Sequence, residues 1–435
     1  MTLETAVISD SVKLSAIKTD KFKTGILTFT LTIPLTSKSF AYNTVLTGVL
    51  RRGSENYPSL ALLNKKLDEL YASSIEIRSI KNADNLSLCI TAEFLDTRYI
   101  PDETDVMSGV IRVVADLIMK PLSKDGAFIS DTVDQEKRIA LDSLNAEINN
   151  TRLYALKRCY EKMYRLDSDY PSTERLKQHV KTINGKDLYD HYLMLIENAY
   201  LDVFYVGDAD ISTVSEKLTD SFENYRANKP YIPTSPYSRP ILPLICESEQ
   251  MPVSQGKLTL GFRTGACIGD GDNKYYAALI FNEIFGASPL SKLFMNVRER
   301  LSLCYYCSST YNIYSGDIVV SSGVEVKNRE IAEREILNQL DSIRNGNVSE
   351  AEFTAAQRSL ENSYKQIFDN PLDLQSFYAT RRMFGIYDTV EDTLKKLFKV
   401  TLSDVIDIAK EVHLDTVFFI EGTATKDDSE EYDDE

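Results

Sequence analysis

Three features that would narrow the function of this 435-residue chain are missing from it. It has no run of about 18 apolar residues, the length that a membrane-spanning helix requires. Its N-terminus lacks a basic start followed by an apolar core, so we expect no secretory signal and a cytoplasmic location. Its six cysteines are too sparse for a disulfide framework.

An excess of positive charge is also missing. The chain has 49 Lys and Arg residues against 65 Asp and Glu residues, which gives a net charge of −16. This balance argues against nucleic acid or an anionic membrane as the main partner. Hydrophobic residues make up 43% of the chain and charged residues 26%, so it is globular, and its length indicates two or more domains.

The order of predicted elements occurs twice along the chain. An alternating strand at 26–33 is followed by a helix, a glycine, a proline, a second helix and a hairpin at 74–94. The strand at 257–263 begins the same series, and LDVFYVGDA at 201–209 is echoed by LDTVFFIEGTA at 414–424. We therefore predict an internal duplication of roughly 210 to 230 residues.

Prolines mark the boundary between the two halves. Six of the 13 prolines lie between Asn228 and Pro252, and proline removes backbone donors, so this segment predicts an extended linker. The predicted fold class is α+β, with two tandem homologous domains that are each a mainly antiparallel sheet with helices packed on one face. The predicted N-terminal domain, linker, C-terminal domain and disordered acidic tail are residues 1–227, 228–252, 253–425 and 426–435.

The most specific pattern is SPLSKLFMNVRERLSLCYYCSSTYNIYSGDIVVSSGVE, at 288–325. It predicts a helix that ends near Arg300 and two strands joined at 314–316. One face of the helix is predicted to be apolar and to consist of Leu290, Leu293, Phe294 and Val297. Arg298 lies beside this stripe, and Tyr305 follows seven residues later at the start of a strand.

Cys304 and Cys307 in this stretch have the spacing C-x-x-C. A zinc site would need a second pair of ligands, and a redox motif of this type should open a helix. The flanking sequence is typical of a strand, in which residues three apart point to opposite faces. We therefore predict two unpaired structural cysteines.

The arrangement SPLSKLFxxVRExxxLxYY resembles the C-terminal half of the insulinase/pitrilysin family of zinc peptidases. Together with the duplication and the proline-rich linker, the resemblance covers nearly the whole chain. Active members carry an inverted zinc motif, His-x-x-Glu-His, in the first helix of the N-terminal half. Two histidines and a distal glutamate hold the metal, and the glutamate of the motif activates its water.

The resemblance implies that all four positions of this zinc site are changed here. Alignment on the sequences RGS at 52–54 and YPS at 57–59 defines the motif positions, and the distal ligand normally lies seven residues after the glutamate that matches Glu136. The positions of the two histidines, the general base and the distal ligand are occupied by Thr44, Gly48, Thr47 and Ser143. A neutral hydroxyl is a poor zinc ligand and no base at neutral pH, so we expect no metal in this chain.

Other residues do not rebuild the site. The three histidines, His179, His191 and His413, lie in separate segments, and none has a second histidine four residues away. The spacing of His191 from two nearby aspartates indicates a solvated helix face, and Glu147 is interpreted as an exposed helix charge. The number and spacing of the histidines therefore argue against a standalone peptidase with a relocated metal site.

The other half of a family site is present. In this family, an arginine and a tyrosine of the C-terminal domain reach the substrate held near zinc and donate hydrogen bonds to its carbonyl oxygens or to the forming oxyanion. Arg298 and Tyr305 match these two positions. A guanidinium fork and a phenol suit a peptide carbonyl that gains negative charge.

In two-chain members of the family, one subunit carries His-x-x-Glu-His and the other supplies the Arg-Tyr pair. This sequence is similar to the metal-free subunit of the bacterial two-component peptidases. The resemblance implies a substrate-binding subunit of a heterodimeric zinc endopeptidase, with zinc in the homologous partner and a peptide or unfolded polypeptide as substrate. The alternative is a proteolytically inactive structural or peptide-binding member, but a scaffold has no need of Arg298 and Tyr305.

Overall fold

The computed structural model describes residues 3–423, without the side chain of Asp272. The predicted acidic tail, 426–435, lies outside the described residues. Among residues 3–423, no helix has both the length and the apolar character needed to cross a membrane. The strands of this part of the chain are β1 Leu3–Ser9, β2 Val12–Lys18, β3 Thr24–Pro34, β4 Ser74–Asn82, β5 Asn85–Leu95, β6 Ser123–Lys124, β7 Ala127–Phe128, β8 Leu201–Gly207, β9 Ile245–Met251, β10 Gly256–Arg263, β11 Cys304–Asn312, β12 Asp317–Val324 and β13 His413–Gly422.

Helices fill most of the sequence between the strands. The α-helices are α1 Ser37–Arg51, α2 Leu60–Glu69, α3 Val106–Met119, α4 Ser130–Ala146, α5 Thr151–Met163, α6 Thr173–Thr182, α7 Gly185–Asn198, α8 Ile211–Phe222, α9 Asp272–Asn282, α10 Arg329–Arg344, α11 Glu350–Gln366, α12 Pro371–Met383, α13 Val390–Leu397 and α14 Leu402–Glu411. Two segments, Glu283–Ala287 and Leu293–Arg300, are π-helical. Short 3-10 helices occur at Thr97–Tyr99, Glu147–Asn149, Val326–Asn328 and Ile367–Asp369.

Two sheets with matching topology confirm the predicted α+β fold and the internal duplication. The first sheet has the order β1-β2-β8-β3-β5-β4, and the second has the order β9-β13-β10-β12-β11. Neighbouring strands are antiparallel in both sheets except β2 with β8 and β13 with β9, which are parallel. Apart from β1, the two sheets therefore correspond strand by strand in both order and direction.

The compact units of the structure depart from the boundaries of the repeat. One unit comprises the residues up to Asn145, Ser168–Thr234 and Ile367–Ile386, and the other comprises Ala146–Asp167, Ser235–Gln366 and the residues from Tyr387 onward. Each unit thus includes a helix that the repeat assigns to the other half, α12 in the first and α5 in the second. A helix joins the unit in which it buries its apolar face. The order of elements along the sequence does not show which unit that is.

The proline-rich segment also differs from a simple linker. Its last part, Ile245–Met251, forms the edge strand β9, which pairs in parallel with β13. No proline lies between Pro243 and Pro252, so the intervening backbone can donate hydrogen bonds to a ladder.

Helix α1 carries the residues aligned with the zinc motif. Thr36 caps it, because the Thr36 hydroxyl accepts from the Ser39 amide and the Ser39 hydroxyl accepts from the Thr36 amide, both at 2.9 Å. The helix ends at Arg51, close to Gly53. Gly53 has φ of +141°, and a Cβ there would lie 2.1 Å from the Tyr57 carbonyl oxygen, so glycine is needed at this position.

A buried cluster of charges anchors α5 within the second unit. The side chain of Arg263 on β10 is 2% exposed and pairs with Asp317 and Asp415, which are both 0% exposed. Arg263 Nη2 also donates to the Met163 carbonyl at 2.6 Å, and the Tyr164 hydroxyl donates to Asp317. These bonds join the C-terminal end of α5 to the strands below it.

Close backbone packing reinforces this anchor. A Cβ on Gly261 of β10 would lie 2.4 Å from Met163 Sδ and 3.1 Å from Cys159 Sγ, so the helix lies directly on the strand. Asp317 is the first residue of β12, the strand that pairs with β11. The cluster therefore also fixes the turn end of the β11–β12 hairpin, which is the end away from Tyr305.

We predict that Asp317→Asn lowers the free energy of unfolding by about 3 to 5 kcal/mol, because it leaves the Arg263 guanidinium buried with incomplete charge compensation. Chemical denaturation followed by circular dichroism measures the change. The matched control is Asp407→Asn, which removes an exposed 2.9 Å ion pair with Lys410 and should cost less than about 1 kcal/mol. Equal effects of the two substitutions would contradict an anchoring role for the buried cluster.

Candidate functional site

The zinc-motif positions in the first unit hold side chains that are committed elsewhere or point to solvent. The Thr44 hydroxyl donates to the Phe40 carbonyl and the Thr47 hydroxyl donates to the Thr44 carbonyl, both at 2.8 Å. Ser143 is exposed on α4. The two threonine hydroxyls are thus engaged by their own helix.

An ion pair fills the space beside Gly48. A Cβ on Gly48 would lie 2.1 Å from Glu136 Oε2, so the glutamate occupies the room that a larger side chain would need. Glu136 Oε1 accepts a 2.7 Å hydrogen bond from Arg52 Nε and lies 2.5 Å from Arg52 Nη2. Since the Glu136 side chain is only 9% exposed, the guanidinium supplies its charge compensation.

This donor set does not fit a zinc ion. Thr44, Thr47, Gly48 and Ser143 provide no imidazole, thiolate or carboxylate, and the nearby carboxylate of Glu136 is already paired with a cation. Within residues 3–423, no group of three His, Cys, Asp or Glu side chains is placed to hold a metal. That this chain binds no zinc remains a prediction, which metal analysis can test.

The interpretation of His191 as part of a solvated helix face is wrong. His191 on α7 packs against α1, where its Nε2 lies 2.7 Å from Asn43 Oδ1 and its ring centroid lies 5.2 Å from that of Tyr42. Burial, and secondarily the charge of Lys38, lower the pKa of His191 from 6.5 to about 4. The packing was missed because Asn43 lies 148 residues earlier in the chain.

The other two histidines and Glu147 lie apart from one another and contact different neighbours. His179 Nε2 lies 3.3 Å from the Ser37 hydroxyl, and His413 is exposed at the start of β13. Glu147 is only partly exposed, and it pairs with Lys157. These residues do not come together as a ligand set in the part of the chain that the structure describes.

We predict that His191 makes the protein less stable as the pH falls from 6.5 towards 4. Over this interval the unfolded chain binds a proton at position 191 and the folded chain does not, so stability rises with pH and is lost on acidification. The full effect is about 3 kcal/mol. Denaturation curves between pH 7 and pH 4 should therefore show a weaker pH dependence for His191→Gln than for the native chain, whereas the exposed control His413→Gln should follow the native curve. Parallel curves for all three proteins would contradict an imidazole that stays neutral in the folded chain.

Arg298 lies on the π-helical segment Leu293–Arg300 of the second unit. Leu293 and Val297 are fully buried, but Leu290 is 62% exposed, so the prediction that Leu290 shares the apolar face is wrong. The physical reason is that the helical segment begins after Leu290.

Arg298 lies beside the apolar stripe of this segment as predicted, with its guanidinium 4.6 Å from the centroid of the Phe294 ring. Its side chain is 42% exposed and lies 3.5 Å from Glu299 Oε1.

Tyr305 occupies a β-bulge in the edge strand β11. Cys304 pairs with Val324 and Tyr306 pairs with Gly323, so Tyr305 is the extra residue between two consecutive partners. Its side chain extends outward and the residue is 66% exposed. Bulges re-aim side chains in this way and are frequent at functional sites.

A tight turn connects the two predicted donors. The Leu303 amide donates to the Val297 carbonyl at 3.1 Å, and Ser302 has φ of +49°. The chain thereby reverses between Arg298 and the start of β11. Both donors lie in one exposed segment of the second unit, anchored by Leu293 and Val297.

The bulge also overturns the prediction that Cys304 and Cys307 point to opposite faces. The extra residue shifts the alternation, so both cysteines lie on one face and are 9% and 3% exposed. Both are free thiols. Hydrogen bonding from Cys307, with smaller contributions from Ser322 and Arg298, lowers the pKa of Cys304 to about 7, and the same contact raises that of Cys307.

Comparison of the sequence with known proteins identifies the family of this chain. Residues 182–360, which include Arg298 and Tyr305, match the family described as Peptidase M16 inactive domain. The chain is 31% identical over 407 residues to "Probable inactive metalloprotease YmfF" of Bacillus subtilis (strain 168), and the match covers 94% of this chain and 95% of that protein. The chain belongs to the insulinase/pitrilysin family, peptidase family M16.

Solved structures share the M16 fold over the whole chain. A conserved protein from Enterococcus faecalis V583 is 25% identical, with a TM-score of 0.89, and the match covers 98% of this chain and 99% of that one. The peptidase M16 inactive domain from Pseudomonas fluorescens is 15% identical, with a TM-score of 0.76 and coverage of 98% and 99%. The M16 fold therefore extends beyond the 182–360 segment to both compact units.

Proposed function

We propose that this chain is the non-catalytic, substrate-binding subunit of a heterodimeric zinc metalloendopeptidase that acts on peptides or unfolded polypeptides. It donates Arg298 and Tyr305, and a homologous partner subunit supplies His-x-x-Glu-His and the zinc. The observation that carries the proposal is the exposure of both donors, because neither side chain is consumed by the packing of its own unit.

The surroundings of Arg298 suit a substrate-binding role. Its guanidinium lies over the Phe294 ring, and it faces a single, partly exposed carboxylate at 3.5 Å. An exposed pair of this kind contributes at most about 1 kcal/mol to stability, so an incoming peptide carbonyl can compete for the N–H donors. The planar fork of arginine suits an oxygen that accumulates negative charge.

The bulge likewise leaves the Tyr305 phenol available to hydrogen-bond with a second molecule. It removes Tyr305 from the β11–β12 ladder and presents a phenol on an exposed edge strand. A large aromatic residue that is 66% exposed contributes little to the core of its own unit. A hydrogen-bonding role towards a second molecule explains this arrangement.

The state of the zinc-motif positions supports a non-catalytic role. The Glu136–Arg52 pair places a protein cation beside Gly48, and the two threonines bond to their own helix. The catalytic metal and its activated water would come from the partner. The relative YmfF is named a probable inactive metalloprotease, which agrees with this division of roles.

The test is hydrolysis of a quenched fluorescent peptide by this chain, by a His-x-x-Glu-His homologue from the same organism, and by their mixture. We expect activity only in the mixture, because each chain supplies half of the site. If the mixture is no more active than the homologue alone, the proposal fails for that pair. Peptide binding by this chain without activation would then favour a structural or peptide-binding role.

We further predict that Arg298→Ala and Tyr305→Phe each lower kcat/KM of the mixture by about 100-fold to 1,000-fold, since each removes a donor to the developing oxyanion. Two matched controls lie in the same unit. Arg300→Ala removes an arginine whose side chain is 63% exposed, and Tyr387→Phe removes a phenol on a residue that is 67% exposed. Both controls should retain activity within about threefold of the native mixture, because surface changes of this kind are close to neutral. Losses as large in the controls would contradict a specific role for Arg298 and Tyr305.

A further inference from the structure

The Cys304–Cys307 pair is a chemical feature that the proposed function does not use. The two thiols lie on one face of an edge strand, with Tyr305 and Tyr306 between them in the sequence. Cys304 is the more accessible, at 9% exposed against 3% for Cys307. Cys246 is the exposed cysteine of the described residues, and it lies on a different strand, β9.

The bulge removes the main steric obstacle to a bond between these sulfurs, because it places both on one face. Three residues of fully extended chain separate Cα atoms by about 10 Å, whereas a disulfide requires a separation below about 7 Å. An extra residue in a strand bends the backbone and brings the flanking positions onto one face. In a regular strand with this sequence, the two sulfurs would lie on opposite sides of the sheet.

We propose that Cys304 and Cys307 are a reversible disulfide-forming site whose oxidant is a small-molecule disulfide such as oxidised glutathione, and that closure of the bond repositions Tyr305. Only the effect of this repositioning on peptidase activity rests on the proposed function. The bond would close a short ring that contains the bulge residue itself. Tyr305 cannot keep an unchanged backbone conformation when the Cα atoms on both sides of it are drawn together.

The exchange proceeds in two balanced steps. The Cys304 thiolate attacks one sulfur of the small disulfide, which forms a mixed disulfide and releases one thiolate. Cys307 then loses its proton to solvent and attacks Cys304 Sγ, and the second small thiolate leaves. The two cysteines lose two electrons, and the small disulfide is reduced to two thiols.

The surroundings assign the two roles. Cys304 is the attacking thiol because it is the more exposed and because Cys307, Ser322 and Arg298 all favour its thiolate. Cys307 is the resolving thiol, since it is the more enclosed of the two and lies on the same face as Cys304. Reduction by a dithiol reverses both steps.

The test of the site equilibrates the full chain in mixtures of reduced and oxidised glutathione, followed by alkylation, trypsin digestion and mass spectrometry. Cleavage after Arg300 and Lys327 gives a peptide, 301–327, that contains these two cysteines and no other. We expect this peptide to lose two hydrogen atoms and to resist alkylation as oxidised glutathione increases, and dithiothreitol should restore both alkylated thiols. Cys246 should give only a glutathione adduct.

Single substitutions separate the two roles. Cys307→Ser should trap a glutathione adduct on Cys304, because no resolving thiol remains. Cys304→Ser should leave Cys307 largely unmodified, because that thiol is enclosed. A peptide 301–327 that stays fully alkylatable at every glutathione ratio, or that carries only adducts in the native chain, would overturn the proposed site.

Repositioning of Tyr305 is tested by fluorine NMR with 3-fluorotyrosine incorporated at position 305. Closure should shift this resonance in the native chain but not in the Cys304→Ser/Cys307→Ser double variant. In the mixture with the partner, closure should also change kcat/KM by up to about 100-fold, as expected for a displacement of about 1 Å in a positioning group.

These readouts distinguish failure of this inference from failure of the proposed function. If Tyr305→Phe leaves the mixture fully active, the proposed function is wrong, while the mass and fluorine measurements still decide the disulfide site. If Tyr305→Phe is inactive but closure changes neither the resonance nor kcat/KM, the repositioning of Tyr305 is overturned.

Discussion

The buried ion cluster of Arg263, Asp317 and Asp415 is the interaction on which the candidate substrate-binding segment depends. Three charges without solvent are tolerable only when they are paired and hydrogen-bonded, and here the partners include the end of α5 through Met163 and Tyr164. The same cluster fixes the first residue of β12, against which β11 pairs and bulges. Electrostatics thus hold the turn end of the hairpin whose other end carries Tyr305.

The two units of the duplicated fold differ in what their candidate site residues contact. In the first unit, the positions aligned with a zinc site hold hydroxyls bonded to their own helix, and a guanidinium neutralises the buried carboxylate beside Gly48. In the second unit, the matched arginine and tyrosine remain exposed and lightly engaged. Under the proposed function, this difference between the units is expected, because the chain would supply hydrogen-bond donors to a site whose metal is held by a second subunit.

The elements recognised from periodicity were those with a clear apolar pattern. The hairpins β4–β5 and β11–β12 lie where alternation predicted them. Strands β1, β2, β6, β7 and β9 and helices α6, α12 and α13 were missed. The edge strand β9 has three exposed residues in succession, so its pattern carried no signal of a strand. A bulge at Tyr305 was likewise invisible, because it is defined by pairing with another strand.

The sequence by itself determined the family and the duplication, and it predicted the roles of Arg298 and Tyr305 and the loss of all four zinc-site residues, because these inferences depend on residue type and spacing. Only the tertiary structure decided which helix packs on which sheet, that His191 is enclosed against Asn43, and that Cys304 and Cys307 share a face. Each of these depends on contacts between segments distant along the chain, or on the register of paired strands. Local periodicity contains no information about either.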